Sequence, residues 1–286
     1  MAPDATRVKI GSLAIEEEIG RGGMGVVHHA RHLGLGREVA VKFLPEAFLG
    51  NREFQARFER EARSLALLDH PNIITVHDFG TEREQPFIVM ELATGGSLAE
   101  KIPLDPARTR EIALEVCSAL EYAHAQGVVH RDIKPQNVLF DAENRVKVGD
   151  FGLARVFRGD AVGWSITATH QAVGTPHFMA PEALSGAPPD PRMDVYSLGV
   201  LLYQMLTGKL PTGSYEPPPE PYAAIVSRAL AQEPSKRYPS VEEFRRDLES
   251  MAFEPTLVVG ANLSEEERTW RGGVALLLTI ATAVGL

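Results

Sequence analysis

Cysteine is almost absent: Cys117 is the only one in 286 residues. A single thiol cannot close an internal disulfide, so nothing here asks for an oxidising compartment. Cys117 reads either as a reactive thiol or as a small buried hydrophobe in the stretch from Ile112 to Ala123. An excess of positive charge is also missing. Lys and Arg total 29 against 38 Asp and Glu, a formal net charge of −9. Non-specific nucleic-acid binding needs a basic surface to displace counterions, so nucleic acid is not an expected partner. The opening residues MAPDATRVKI hold no apolar run of the kind a secretory signal needs. No repeat period is visible. With 44% hydrophobic and 23% charged residues, the chain is neither a disordered acidic tail nor a low-complexity polymer. Its length suits one large domain or two lobes sharing a cleft.

Up to about residue 92 the pattern is strand-rich with one helix. The segments VVHHA and REVAVKFL are β-branched runs bounded by glycine turns, which predicts strands. Phe54, Phe58, Ala62, Leu65 and Leu68 recur at helical spacing over residues 51–69, one buried helix face. PFIVMEL is another apolar strand, broken by glycines at Thr94 to Gly96. Beyond that break the chain reads mostly helical. Ile112, Val116, Leu120 and Ala123 share a face over 107–126. Asp194 to Gly208 is apolar nearly all round, as in a helix buried inside a domain. EPPPEPY over 216–222 cannot be helical, and residues 223–251 return to a helical pattern. Residues 254–263 read as linker, and Ser264 with Glu267 as a capping box.

Five segments carry chemistry. Gly20 to Val27 has the spacing G-x-G-x-x-G-x-V, in which glycines let backbone amides approach phosphate oxygens. A dinucleotide-binding turn uses the same glycines but opens a helix. Here a second strand follows, which favours a hairpin over a nucleotide, with a plain glycine turn as the bland alternative. Lys42 ends Val39-Ala40-Val41-Lys42, an apolar strand in which an ammonium needs a partner or must snorkel to the edge. Glu61 is the partner chosen over Glu59, because it lies beside Ala62 and four residues before Leu65 on the buried face. His130-Arg131-Asp132-Ile133-Lys134-Pro135-Gln136-Asn137 gathers acid, base and amide groups into one loop. Asp132 can accept a proton from an alcohol, Asn137 can offer a carbonyl oxygen to a hard cation, and Lys134 can neutralise a phosphoryl group. Asp150-Phe151-Gly152 follows a strand-like segment and places a carboxylate for Mg2+. Finally, Gly174-Thr175-Pro176 precedes Ala180-Pro181-Glu182, and a buried Glu182 would find its cation at Arg237.

The order of these segments matches the protein-kinase signature set. Over residues 8–253 the chain resembles the eukaryotic-like serine/threonine protein kinases of bacteria, down to the wording GRGGMGVV and HPNI (His70 to Ile73). The resemblance implies an α+β, two-lobed protein-kinase fold with the active site between the lobes. The small strand-rich lobe would cover 1–92, with an extension at 1–7, and the larger helical lobe 93–253. A juxtamembrane linker over 254–271 and an apolar tail over 272–286 would follow. It also implies transfer of the γ-phosphoryl of ATP to Ser or Thr hydroxyls of protein substrates. Gly20, Gly22 and Gly25 would cover the phosphates, and Lys42, held by Glu61, would bind the α and β phosphates. Asp150 and Asn137 would hold Mg2+, with Mn2+ as a substitute. Asp132 would orient the acceptor hydroxyl, and Lys134 would offset charge on the γ-phosphoryl. Val27, Ala40 and Leu139 would sandwich the adenine, with Met90 as gatekeeper and Glu91 and Ala93 offering hinge backbone groups. Lys134 and Thr175 match the serine/threonine class. Arg131 is a ready partner for phosphate on the segment 153–173, where Thr167 and Thr169 are the expected autophosphorylation sites beside Ser165.

Between Gly208 and Ala223 a short proline-rich stretch stands where kinases place an extra helix that helps dock substrates. The uncharged run 272–286 reads as the beginning of a membrane span, flanked by Arg268, Trp270 and Arg271, or else as a helix packing on the domain. The expected setting is a cytoplasmic kinase domain, anchored through that run, forming a homodimer for trans-autophosphorylation. A nucleotide-binding signalling scaffold with incidental catalysis is the alternative function, and a small-molecule kinase a third.

Overall fold

The computed structural model describes residues 9–151, 176–213 and 216–251. The chain divides into the units Met1–Met251 and Ala252–Leu286, and every described residue belongs to the first. Its first part is a six-stranded antiparallel sheet. The strands are β1 (Lys9–Ile10), β2 (Leu13–Gly22), β3 (Gly25–His32), β4 (Arg37–Phe43), β5 (Val76–Glu82) and β6 (Gln85–Met90), in the order β1-β2-β3-β4-β6-β5. Successive strand residues point to opposite faces. On β4, Val39 and Val41 join Ile10, Leu13, Ile15, Ala30, Phe87 and Val89 in a small core, while Ala40 and Lys42 face the other way.

The helix α1 (Arg52–Leu65) crosses between β4 and β5. Asn51 caps it, accepting from the Phe54 amide at 2.9 Å. It buries Phe54, Phe58, Ala62 and Leu65, the spacing read from the sequence, and each such large side chain contributes about 1.5–3 kcal/mol on burial. The helix stops at Leu65 rather than Asp69, and a turn leads into Pro71, which pushes the residue before it out of helical geometry.

The remainder is helical around the main core. It comprises α2 (Pro106–Ala125), the short hairpin β7 (Val138–Phe140) and β8 (Val146–Val148), then α3 (Pro181–Leu184), α4 (Pro191–Thr207), α5 (Tyr222–Ala229) and α6 (Val241–Ser250). Both long helices open with Asp-Pro, the aspartate accepting from an amide of the first turn and the proline sitting where no N–H is needed. Gly208 ends α4 in the left-handed region at φ 70°. The helix α4 is buried nearly all round, as its unbroken apolar composition predicts. The helical pattern of 223–251 is two helices rather than one, because Pro234 and Pro239 interrupt it. Among the described residues of 209–221 there is no helix. Also among the described residues, no helix is long and apolar enough to cross a membrane. The linker 254–271, with Ser264 and Glu267, and the apolar run 272–286 lie outside the described residues.

Candidate active site

The glycine segment is a hairpin, not a strand-to-helix turn. The strands β2 and β3 pair down to Gly22 opposite Gly25, and Gly20 lies opposite Val27. Gly25 sits at φ 125°, and a Cβ there would stand 2.0 Å from the Phe43 carbonyl oxygen, so only glycine fits. Around Gly22 the space is open. Register then sets the cleft face: Val27 is opposite Lys42, and Ala40 is opposite Met90 at the end of β6.

Lys42 is buried, and its Nζ donates to both carboxylate oxygens of Asp150 at 2.7 Å, across 108 residues of chain. Burial pushes the Asp150 carboxyl up, but the Lys42 ammonium outweighs it and, with Lys134, holds the group below the usual carboxylate range. The expected Lys42–Glu61 pair is not formed. Glu61 is the inward residue of α1, buried where Glu59 is exposed. Its Oε1 instead lies 3.5 Å from Arg60 Nε, and the side chain borders a cavity lined by Ser64, Leu68, Gly127, Val129, Arg131 and Pro189. The correction has a simple cause. A buried ammonium takes the carboxylate its strand meets, and helical periodicity says which face Glu61 occupies but not how far that face stands from β4.

The loop 130–137 is held from both sides. His130 is fully buried and packs against Phe151 with ring centroids 4.4 Å apart and planes tilted by 54°. Its Nδ1 accepts from the Asp132 amide at 3.2 Å, so Nε2 carries the proton donated to the Gly149 carbonyl at 2.9 Å. From α4, fully buried Asp194 accepts from the amides of His130 and Arg131 at 2.8 Å each and lies 2.8 Å from His124 Nε2. Burial raises the Asp194 carboxyl, yet these partners hold it below its ordinary value. They also pin Arg131 at φ 65°, a left-handed conformation that costs a non-glycine residue about 1 kcal/mol or more.

Within the loop, Asp132 Oδ2 accepts from Lys134 Nζ at 2.7 Å and from Asn137 Nδ2 at 3.0 Å. The same Asn137 nitrogen donates to the Asp132 carbonyl at 2.8 Å. With the amide nitrogen committed, Oδ1 is the Asn137 atom that can meet a cation. The Gly149 amide donates to the Asn137 carbonyl at 2.8 Å, placing Asp150 next to this loop. A carboxylate and an amide carbonyl are hard oxygen donors, the set Mg2+ takes together with phosphate and water, so these residues fit that ion.

At the hinge, the Glu91 amide donates to the Thr75 carbonyl at 2.9 Å, so its carbonyl is the backbone group it can offer a ligand. Its carboxylate is taken by Lys147 Nζ at 2.7 Å and the Thr75 amide at 3.2 Å. Leu139 sits on β7 opposite Lys147, and Ala93 follows β6 in an irregular stretch. The Glu182–Arg237 pair forms as expected. Arg237 is wholly buried and all five N–H groups are used: Glu182 takes two at 2.6 and 2.7 Å, and the carbonyls of Arg192, Gln232 and Ala231 take the rest. Ser165, Thr167, Thr169, Gly152, Gly174 and Thr175 lie outside the described residues.

The order and geometry match a known set. A sequence profile of the protein kinase domain matches residues 13–252. The chain belongs to the protein kinase family. Among curated relatives, this kinase domain is 40% identical to serine/threonine-protein kinase PknB of Mycobacterium tuberculosis, over 81% of this chain and 41% of that protein. It is 38% identical to PknB of Mycobacterium leprae, over 80% of this chain and 41% of the relative. The chain thus spans about two fifths of the length of the curated relatives it matches. Among solved structures, the PknI kinase domain of Mycobacterium tuberculosis superposes with a TM-score of 0.70 at 30% identity, covering 88% of this chain and all of that one. The kinase has the two-lobed architecture of this family, a curled strand-rich lobe over a helical one.

Two contributors were not assigned roles from the sequence. Asp194 and His124 support the loop from below. The signal for Asp194 was present, since a carboxylate opening a helix that is otherwise apolar all round must find buried donors.

Proposed function

We propose that the chain transfers the γ-phosphoryl of ATP to Ser or Thr hydroxyls of proteins. The observation that carries this reading is the convergence of Asp132, Lys134 and Asn137 in one loop tied through Gly149 to the Lys42–Asp150 pair. Phosphoryl transfer leaves little covalent chemistry to the protein, so positioning and charge stabilisation do most of it. Lys42 meets the α and β phosphates beneath the glycine hairpin. Asp132 holds one carboxylate oxygen against Lys134 and Asn137 and directs the other to the acceptor hydroxyl, whose proton it receives as the oxygen attacks. Lys134 offsets charge on the transferred group. Asp150 and the Asn137 side-chain carbonyl would hold Mg2+, which would supply neutralisation of phosphate charge.

In the same reading, 1–92 is the strand-rich lobe and 93–253 the helical lobe, with nucleotide held between them. Thr167 and Thr169 are phosphorylated by a second copy of the chain, and Arg131 receives the phosphate. The domain works in the cytoplasm, where ATP is supplied, with 272–286 as its membrane attachment. Incubation with radiolabelled ATP, Mg2+ and a generic basic protein tests the activity. Asp132→Asn should lower transfer by about 10²–10⁴-fold while nucleotide still binds. Equal transfer by both proteins would refute the assignment, and full biological rescue by Asp132→Asn would favour a nucleotide-binding scaffold.

A further inference from the structure

The strand-rich lobe carries a second cluster of titratable side chains that the phosphoryl-transfer site does not use. Directly opposed residues of an antiparallel pair share a face. Val27 is opposite Lys42, His29 is opposite Ala40, and Arg31 is opposite Glu38. His29 and Glu38 therefore stand on the cleft face of the sheet, next outward from Val27 and Ala40. The pairing of β2 with β3 shifts register between Ile15 and Glu18, and a bulge of this kind re-aims side chains. Here it turns both Glu16 and Glu17 to the same imidazole. His29 Nδ1 lies 3.2 Å from Glu16 Oε2 and 3.3 Å from Glu17 Oε1, and Nε2 lies 2.7 Å from Glu38 Oε2. One ligand-capable atom each of Glu16, His29 and Glu38 falls within 4.8 Å of the others. The side chains of His29 and Glu16 are 20% and 18% exposed, while those of Glu38 and Glu17 are 46% and 68% exposed, so the group lies at the edge of solvent with the imidazole and Glu16 on its inner side.

We propose that His29 and Glu16, with Glu17 in reach, bind a divalent cation of the Zn2+ class, and that Glu38 orients the imidazole. Tetrahedral zinc has nitrogen and oxygen ligands at about 2.0–2.2 Å, which sets those ligand atoms about 3.3–3.5 Å apart. The two Nδ1 separations, 3.2 and 3.3 Å, lie at the short edge of that spacing. A metal-bound imidazole gives its other N–H to a carboxylate, which fixes the tautomer and raises the basicity of the ligating nitrogen. Glu38 occupies that place, itself 3.5 Å from Arg31 Nε. One imidazole nitrogen with carboxylates suits zinc, whereas magnesium and calcium take oxygen sets. Water completes the coordination. On the reading that ATP binds under the glycine hairpin, the ion lies beside the adenine-facing strand pair.

The test uses the full chain without nucleotide, so failure of the kinase reading leaves it untouched. Zn2+ alone is titrated by calorimetry, and Co2+ alone by visible absorption, where a tetrahedral site gives intense d–d bands. One ion should bind. His29→Asn should weaken it by at least about tenfold and Glu38→Gln by roughly tenfold, while Asp150→Asn leaves it unchanged. Glu16→Gln serves as the ligand variant if His29→Asn does not fold. Equal affinity in wild type and His29→Asn would overturn the proposal, as would loss of binding in Asp150→Asn alone, which places the ion at the phosphoryl-transfer carboxylates. No binding at all would also overturn it.

Discussion

Asp194→Asn isolates the support beneath the catalytic loop. The wild-type carboxylate takes two backbone amides and His124 Nε2, each at 2.8 Å, with no exposure to water. Asparagine keeps the shape but has one acceptor oxygen and one NH2. Whichever way the amide turns, at least one buried N–H faces another donor. An orphaned buried donor costs about 1–3 kcal/mol, and each surviving bond loses roughly 1 kcal/mol as its acceptor becomes neutral. The expected destabilisation is about 3–5 kcal/mol by urea unfolding. Because Arg131 is kept at φ 65° by these bonds, the loop also relaxes, and a displacement of about 1 Å at Asp132 lowers kcat by roughly 100-fold. The pH dependence has a definite sign. A carboxyl held below its unfolded value contributes stability that is full above the ordinary range and is lost as pH falls through the folded value. Wild type should therefore lose more stability than Asp194→Asn between about pH 4 and lower values. A loss under about 1 kcal/mol with kcat within about twofold of wild type would refute the support role.

Three further outcomes are expected. Gly25→Ala sets a methyl against the Phe43 carbonyl at a φ that alanine avoids, so it should cost at least about 1–3 kcal/mol and raise the KM for ATP. Arg237→Met strands Glu182 in a site where the guanidinium used every donor, at about 3–5 kcal/mol by thermal or urea unfolding, and adding Glu182→Leu should restore part of it. Cys117 is wholly buried and its thiol is pushed well up by burial, so a thiol reagent should leave the native protein unlabelled at neutral pH and label it stoichiometrically in urea.

Local rules made most of the elements readable. The β-branched runs became β3 and β4, the apolar run PFIVMEL became β6, the apolar face over 107–126 and the apolar run over 194–208 became α2 and α4, and the ladder from Phe54 to Leu65 became α1. The candidate site was legible as a list of residues, because each needs a particular side chain at a particular spacing. The preference for Glu61 over Glu59 as the buried carboxylate followed from periodicity alone. Its partner did not, since periodicity reports a direction and not a distance.

The sequence by itself determined the order of the catalytic segments, the element types and the family, because these rest on backbone propensity and on side-chain chemistry within a few residues. Only the tertiary structure decided which charges meet. It gave Lys42 to Asp150 instead of Glu61, set Asp194 under the loop, and gathered Glu16, Glu17 and Glu38 around His29. The reason is that an ion pair between segments scores of residues apart depends on strand register, bulges and the depth to which each element packs, and those are properties of the assembled core.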